Sequence, residues 1–200
     1  MTACTNRLNE AFAYAHHLHQ QQKRKGTDIP YISHLMSVAG LALEHGGSEG
    51  EAIAALLHDA AEDQGGEPTL AKIRERFGSE VAEIVRACSD SLVASGEAKQ
   101  NWRQRKQAYM ERIAQESPST QLVSACDKLH NARSLLQDYR QHGEALWERF
   151  KGGKDGTLWY YRALVEALRR ADRLPRQLLG ELERTVSALE QESAAPVEKI

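Results

Sequence analysis

The stretch AIAALLHDAAED, residues 52–63, decides how this chain is read. Its first half, Ala52 to Leu57, is apolar at every position. A helix that is apolar all round is surrounded by protein on every side. Its second half carries His58, Asp59, Glu62 and Asp63. Just upstream, Ser48-Glu49-Gly50-Glu51 has the Ser-x-x-Glu spacing of a capping box. One helix is therefore expected from Glu51 to about Asp63. Unpaired charge at a buried helix end costs several kcal/mol per ion. A divalent cation compensates several carboxylates at once. On a helix, His58 and Asp59 stand about 100° apart and can approach one ion from adjacent directions. Glu62 shares their face, four residues after His58 and three after Asp59, and Asp63 stacks one turn beyond Asp59. One helix end thus offers two metal ligands and two further carboxylates for activating water.

Outward from this stretch the periodicity stays helical almost throughout. A first helix is expected over Thr5 to Gln22, with Leu8, Ala11, Phe12, Ala15 and Leu18 on one side. A polar loop, Lys23-Arg24-Lys25-Gly26-Thr27-Asp28, leads to Ile29-Pro30-Tyr31, where Pro30 ends helical structure. A second helix begins near Ser33 and stops at Gly46-Gly47, a glycine C-cap signal. Thr69 to Phe77 and Ser79 to Ser89 form a helical pair split by Gly78. Ser91 to Gln100 reads as a loop. Trp102 to Gln115 is a charged amphipathic helix, and Ser117-Pro118 starts another with the apolar run Leu122, Val123, Ala125 and Leu129. Gly152-Gly153 breaks the pattern before Thr157 to Arg173, and Pro175 opens a last helix to Gln191. No stretch reads as a strand.

Composition narrows the function. With 200 residues, 41% of them hydrophobic, the chain can build one ordinary core. A net charge of -2, from 26 basic and 28 acidic residues, leaves no electrostatic footprint for duplex nucleic acid. No apolar run approaches the roughly 18 residues of a membrane span, and the first dozen residues lack a signal-peptide pattern. Cys4, Cys88 and Cys126 have neither metal-ligand nor redox spacing, so a reduced, cytoplasmic setting is expected.

A metal group at residues 58–59 needs ligands from other helices. His34 stands at the start of the second helix. Asp127 stands inside a mostly apolar helix, where a lone carboxylate is expensive. Two His and two Asp suit Mn²⁺, Fe²⁺ or Zn²⁺ better than Ca²⁺, and two imidazoles disfavour an all-oxygen Mg²⁺ site. A His-Asp dipeptide alone favours the blander reading, a core histidine bonded to a carbonyl. The four residues in this order, on these helices, reverse the odds.

His34, His58-Asp59 and Asp127 in sequence resemble the H…HD…D pattern of HD-superfamily phosphohydrolases. RKGTDIPYISH (24–34), AALLHDAAED (54–63) and DKLHN (127–131) are similar to the hydrolase domain of Rel/Spo alarmone enzymes, which also occurs alone as small alarmone hydrolases. The likeness runs from about Leu8 to Leu168. It implies an all-α, single HD-domain helical bundle of eight to ten helices over residues 1–192; residues 193–200 read from sequence as a disordered tail. It implies an Mn²⁺-dependent hydrolase that takes the 3′-pyrophosphate from (p)ppGpp or (p)ppApp, with no synthetase activity in this chain. His34, His58, Asp59 and Asp127 would be the ligands. Glu62 and Asp63 match the pair that positions and deprotonates the attacking water.

The same likeness implies substrate contacts. Arg24 and Lys25 fall where a basic pair meets base and 3′-phosphates, as guanidinium chemistry suits. Asn131 matches a nucleoside contact. Lys154, with Tyr160 or Tyr161, falls near the cation for the 5′-phosphates, and Lys99, Arg103 and Lys106 are further candidates for them. Leu35, Ala61, Gln64 and Cys126 replace the more usual Pro, Val, Thr and Ala, and leave the choice of purine open. The alternatives are a general HD nucleotide phosphohydrolase and a non-catalytic nucleotide-sensing module. The oligomeric state is open.

Overall fold

The protein is described by a computed structural model over residues 4–89 and 101–194. The elements are α1 (Asn6–His19), α2 (Ile32–Glu44), α3 (Glu49–Leu57), α4 (Ala60–Asp63), α5 (Gly66–Phe77), α6 (Ser79–Cys88), α7 (Trp102–Ile113), α8 (Pro118–His142), a 3-10 segment (Gly143–Arg149), α9 (Gly153–Ala171) and α10 (Arg176–Ala194). Among the described residues no strand forms, and the β-type contact is one antiparallel bridge, Lys23 with Pro30. The chain is all-helical, as its alanine- and leucine-rich periodicity predicts.

Two helices make the interior. Ala52 to Leu57 are all buried, and α3 packs against α1, α2, α6 and α8. The apolar run that has no polar face therefore has neighbours on four sides. Its start is the expected capping box: Ser48 accepts from the Glu51 N–H, and Glu51 accepts from the Ser48 N–H. Gln121 to Asp127 are likewise buried in α8, the longest helix described, which packs on α2, α3, α6 and α10. Ser117 caps α8, with Pro118 in its first turn. The Gly46-Gly47 stop closes α2 by Gly47 N–H donating to Ala42 O at 2.8 Å, the six-to-one bond of a Schellman motif.

Four expectations change. Helix 51–63 is not continuous: α3 ends at Leu57 and α4 begins at Ala60, so the break falls on His58-Asp59 itself. The His58 ring supplies the reason, since its Nδ1–H donates to Ala55 O at 2.8 Å and competes for a carbonyl of the last turn. Phe12 is 41% exposed, stacked on His16 outside the core; the inner face of α1 is Ala11, Tyr14, Ala15 and His19. Helix α1 also ends at His19, earlier than Gln22. Arg24 N–H donates to Ile29 O and Tyr31 N–H to Gln22 O, which draws residues 22–31 into a hairpin-like turn. Gly26, at φ +73, occupies its tip, and a β-carbon there would meet the Arg149 side chain at 2.8 Å. At the other terminus α10 runs to Ala194, so residues 193 and 194 are helical; 195–200 lie outside the described residues, as does the loop expected at 91–100.

Candidate metal centre and nucleotide cleft

The break at residues 58–59 turns two side chains toward the start of α2 and the middle of α8. His34 and His58 are 1% and 2% exposed. Asp127 Oδ1 lies 3.1 Å from His34 Nε2 and 3.5 Å from His58 Nε2. Asp59 Oδ2 lies 2.9 Å from His58 Nε2 and 3.8 Å from His34 Nε2. His34, His58 and Asp59 offer ligand atoms all within 4.8 Å of one another, a group that can hold a metal ion. His58 Nε2 is buried yet makes no hydrogen bond of good geometry. Its other nitrogen is committed to Ala55 O, so it is Nε2, and in the neutral ring the Nε2 lone pair, that faces the two carboxylates. That is the tautomer a metal ligand needs. The residues present therefore fit a divalent cation.

The electrostatics agree with this. Burial by itself would lower the His58 pKa, but the Asp59 and Asp127 carboxylates raise it well above the ordinary value. Burial raises the carboxylates, yet His58 pulls Asp59 down, and Lys128 with His58 pulls Asp127 well below the usual range. A site that favours positive charge this strongly suits a cation. Burial lowers His34.

Several partners around the group escaped the sequence reading. Tyr31 OH donates to Asp59 Oδ2 at 2.6 Å. His34 Nδ1 and His130 Nδ1 share a hydrogen bond of 2.8 Å. Lys128 pairs with Asp127 Oδ2, and Asn131 Nδ2 donates to Asp127 Oδ1 at 2.5 Å. Asn131 is expected from sequence as a nucleoside contact, not as a partner of Asp127; His130 and Asn131 lie three and four residues after Asp127, on one face of α8. Sequence shows Tyr31 only as part of a turn, because nothing local links it to residue 59. His19 and Gln22, at the end of α1, carried no signal that would have singled them out.

Beside the metal group lies a cleft of about 510 Å³, lined among others by Arg24, Lys25, Tyr31, Lys106, Lys128, Asn131, Tyr160 and Tyr161. A second chamber of about 390 Å³ shares Lys25, Lys106 and both tyrosines and adds Glu62, Trp102, Arg105 and Lys151. Arg24 donates to Asn131 Oδ1 at 2.8 Å, so the basic loop is tied through Asn131 to Asp127. Lys25 stands over the Phe150 ring at 5.4 Å and Lys106 over Tyr160 at 4.8 Å. Of the expected substrate contacts, Arg24, Lys25, Asn131, Tyr160, Tyr161 and Lys106 come together here. Lys154 does not. Its ammonium donates to Glu144 Oε1 at 2.7 Å and to Ser193 O at 2.6 Å, which ties α9 to the 3-10 segment and α10. Arg103 stacks on Trp159 at 4.2 Å, outside both chambers. Lys99 lies outside the described residues. Glu62 faces the second chamber, while Asp63 accepts from Gln22 Nε2 at 2.8 Å.

A family model described as HD domain matches residues 11–158, a span that holds all four converging residues. The chain belongs to the HD domain family. Within it, the mouse guanosine-3′,5′-bis(diphosphate) 3′-pyrophosphohydrolase MESH1 is 34% identical over 131 residues, covering 64% of this chain and 69% of that one. An Aquifex aeolicus protein of the same enzymatic name is 35% identical over 130 residues, 64% of this chain but 18% of that much longer one. A solved structure of a metazoan ortholog of SpoT, described as hydrolyzing ppGpp and acting in starvation responses, superposes with a TM-score of 0.76. It is 26% identical, over 98% of this chain and 100% of that chain. No helix among the described residues is long and apolar enough to cross a membrane.

Proposed function

We propose that this chain is a Mn²⁺-dependent hydrolase that removes the 3′-pyrophosphate from (p)ppGpp or (p)ppApp, giving GDP/GTP or ADP/ATP and pyrophosphate. The observation that carries the reading is the convergence of His34, His58, Asp59 and Asp127 beside a cleft walled by cations and tyrosines. The relatives are named for the guanosine substrate, ppGpp, which supports the 3′-pyrophosphohydrolase reading. His34, His58, Asp59 and Asp127 would hold the ion. When bound, it supplies Lewis acidity that eases loss of a proton from water and draws charge from the phosphoryl group.

The chain's own residues supply binding and proton transfer. Arg24 and Lys25 receive the 3′-pyrophosphate, as forked and point charges do for phosphate oxygens. Tyr160, Tyr161 and the Lys106 ammonium wall the cleft around the nucleotide. Asn131 joins the two halves of the site, since it bonds both Arg24 and Asp127. Glu62 and Asp63 orient the attacking water and accept its proton. The water oxygen bonds to phosphorus, the O3′–P bond breaks, and O3′ leaves as a hydroxyl after taking up a proton. Partial burial and the neighbouring Asp59 raise the Asp63 pKa above that of an ordinary aspartate, which makes it a better proton acceptor.

Turnover of ppGpp, pppGpp, ppApp and pppApp by the purified chain with Mn²⁺ tests the reading and ranks the purines. Pyrophosphate is the expected product; orthophosphate in its place overturns the mechanism.

A further inference from the structure

We infer that Gln22 is a positioning residue that aims Asp63 at the water. The inference rests on the assignment of Asp63 as a water-activating carboxylate. Gln22 follows α1, where the chain turns into the basic loop. Its backbone is fixed on both sides: its N–H donates to His19 O at 2.9 Å, and its carbonyl accepts from the Tyr31 N–H at 2.9 Å.

The side chain is more constrained still. An ionised carboxylate only accepts, so the group that Gln22 presents to Asp63 Oδ2 is its Nε2 amine, at 2.8 Å. Its Oε1 then accepts twice, from His19 Nδ1–H at 2.7 Å and Gln64 Nε2 at 2.6 Å. Flipping the amide would set its amine against two donors and its oxygen against a carboxylate. The orientation is locked. Gln64, which stands where relatives of the Rel/Spo type more often carry threonine, reaches back to supply one of these two locks.

The same turn also bears on the metal shell. His19 is 2% exposed, and its ring stacks on Tyr31 with centroids 5.3 Å apart. Tyr31 in turn donates to Asp59. One short segment, residues 19–22, thus contacts both Asp63 and the tyrosine that steadies a metal ligand. This arrangement ties the proton acceptor to Asp59, a residue that would hold the ion, without belonging to either. A purely mechanical clamp between α1 and α4 predicts less. Burial and Asp59 disfavour the charged form of Asp63, while the Gln22 bond, with smaller help from His19 and His58, favours it. Removing the amide raises the Asp63 pKa further, so the acid limb of the kcat–pH profile moves to higher pH. Loss of a clamp alone lowers rate or melting temperature without moving that limb.

The test uses the full chain with Mn²⁺ and ppGpp, comparing Gln22→Leu, Gln64→Leu, Asp63→Asn and the Gln22→Leu/Asp63→Asn double variant. Gln22→Leu is expected to lower kcat about ten-fold, the size of one hydrogen bond to a charged group, with KM and bound metal unchanged and the acid limb shifted upward. In the Asp63→Asn background it should cost nothing more. An unshifted limb in Gln22→Leu, whether or not kcat falls, or a full extra loss in the double variant, overturns the inference. Should Asp63→Asn turn over like the wild type, the role of Asp63 itself falls, and the positioning role falls with it. Should Gln22→Leu fail to fold, Gln64→Leu must show the same shift at smaller size, or the inference fails.

Discussion

His34 and His58 are sealed from solvent, and each points one ring nitrogen at a protein partner and the other at two carboxylates. Lys25, at the mouth of the neighbouring cleft, is exposed and meets the ring of Phe150. The two regions share Asn131 and Tyr31, yet they are built by different means. In the metal group, packing of α3 and α8 against the rest of the bundle sets the atoms, and the Ala55 carbonyl then fixes the orientation of the His58 ring. In the cleft, long cationic side chains line an open space between the 22–31 turn, α7 and α9. Sites held by locked rotamers and outer partners are positionally strict. Flexible cations instead adapt to phosphates of varying number. The contrast predicts that damage to the first region abolishes chemistry, while damage to the second changes affinity.

Asp59→Ala carries the largest expected effect. It removes a proposed ligand and leaves His58 Nε2 facing Asp127 alone at 3.5 Å. Stoichiometric metal and turnover should both disappear, measured by elemental analysis and by pyrophosphate release. A variant that keeps one metal per chain would break the ligand assignment and with it the strictness of the buried region.

Tyr31→Phe comes next and sharpens the boundary between the regions, because Tyr31 belongs to both. The phenol holds Asp59, whereas the ring lines the cleft and stacks on His19. Phenylalanine deletes only the hydroxyl. Loss of an outer-shell partner costs about 10–100-fold in metal affinity or activity, so the Mn²⁺ activation midpoint should rise by that amount with little change in KM. A raised KM at unchanged Mn²⁺ midpoint would place the hydroxyl on the substrate instead.

How far these regions could be read from the chain follows the same division. Helix α3 is legible because its apolar run has no polar face, and α8 because its middle is mostly apolar; His58 and Asp59 stand out at the end of the first and Asp127 inside the second. The break at residues 58–59 was not legible, since it comes from an imidazole competing for Ala55 O, an interaction that periodicity does not encode. Nor were the contacts of Tyr31 and Gln22, which reach across 28 and 41 residues to Asp59 and Asp63. On the cleft side, Arg24 and Asn131 were placed because they lie inside compact motifs anchored to ligands. Arg103, in contrast, was one of several cations on a charged helix face, and no pattern distinguishes the one that stacks on Trp159 from Lys106, which lines the cleft.

Lys154 gives the smallest expected effect and the cleanest control on that division. Its position after Gly152-Gly153, near two tyrosines, suggested a phosphate contact. Tyr160 and Tyr161 do line the cleft, but Lys154 sits one to two helical turns before them, at the start of α9, with its ammonium committed to Glu144 and the Ser193 carbonyl. An ion pair this exposed contributes no more than about 1 kcal/mol, and its loss frees no group in the cleft. Lys154→Ala should therefore leave KM for ppGpp unchanged and lower thermal stability only slightly. Arg24→Ala, measured alongside, should raise KM by roughly ten-fold or more, as expected for a lost charge-assisted phosphate contact. Equal rises in KM for the two variants would mean that the α9 end swings its lysine into the cleft when substrate binds, and that the open region is assembled by the nucleotide and not before it.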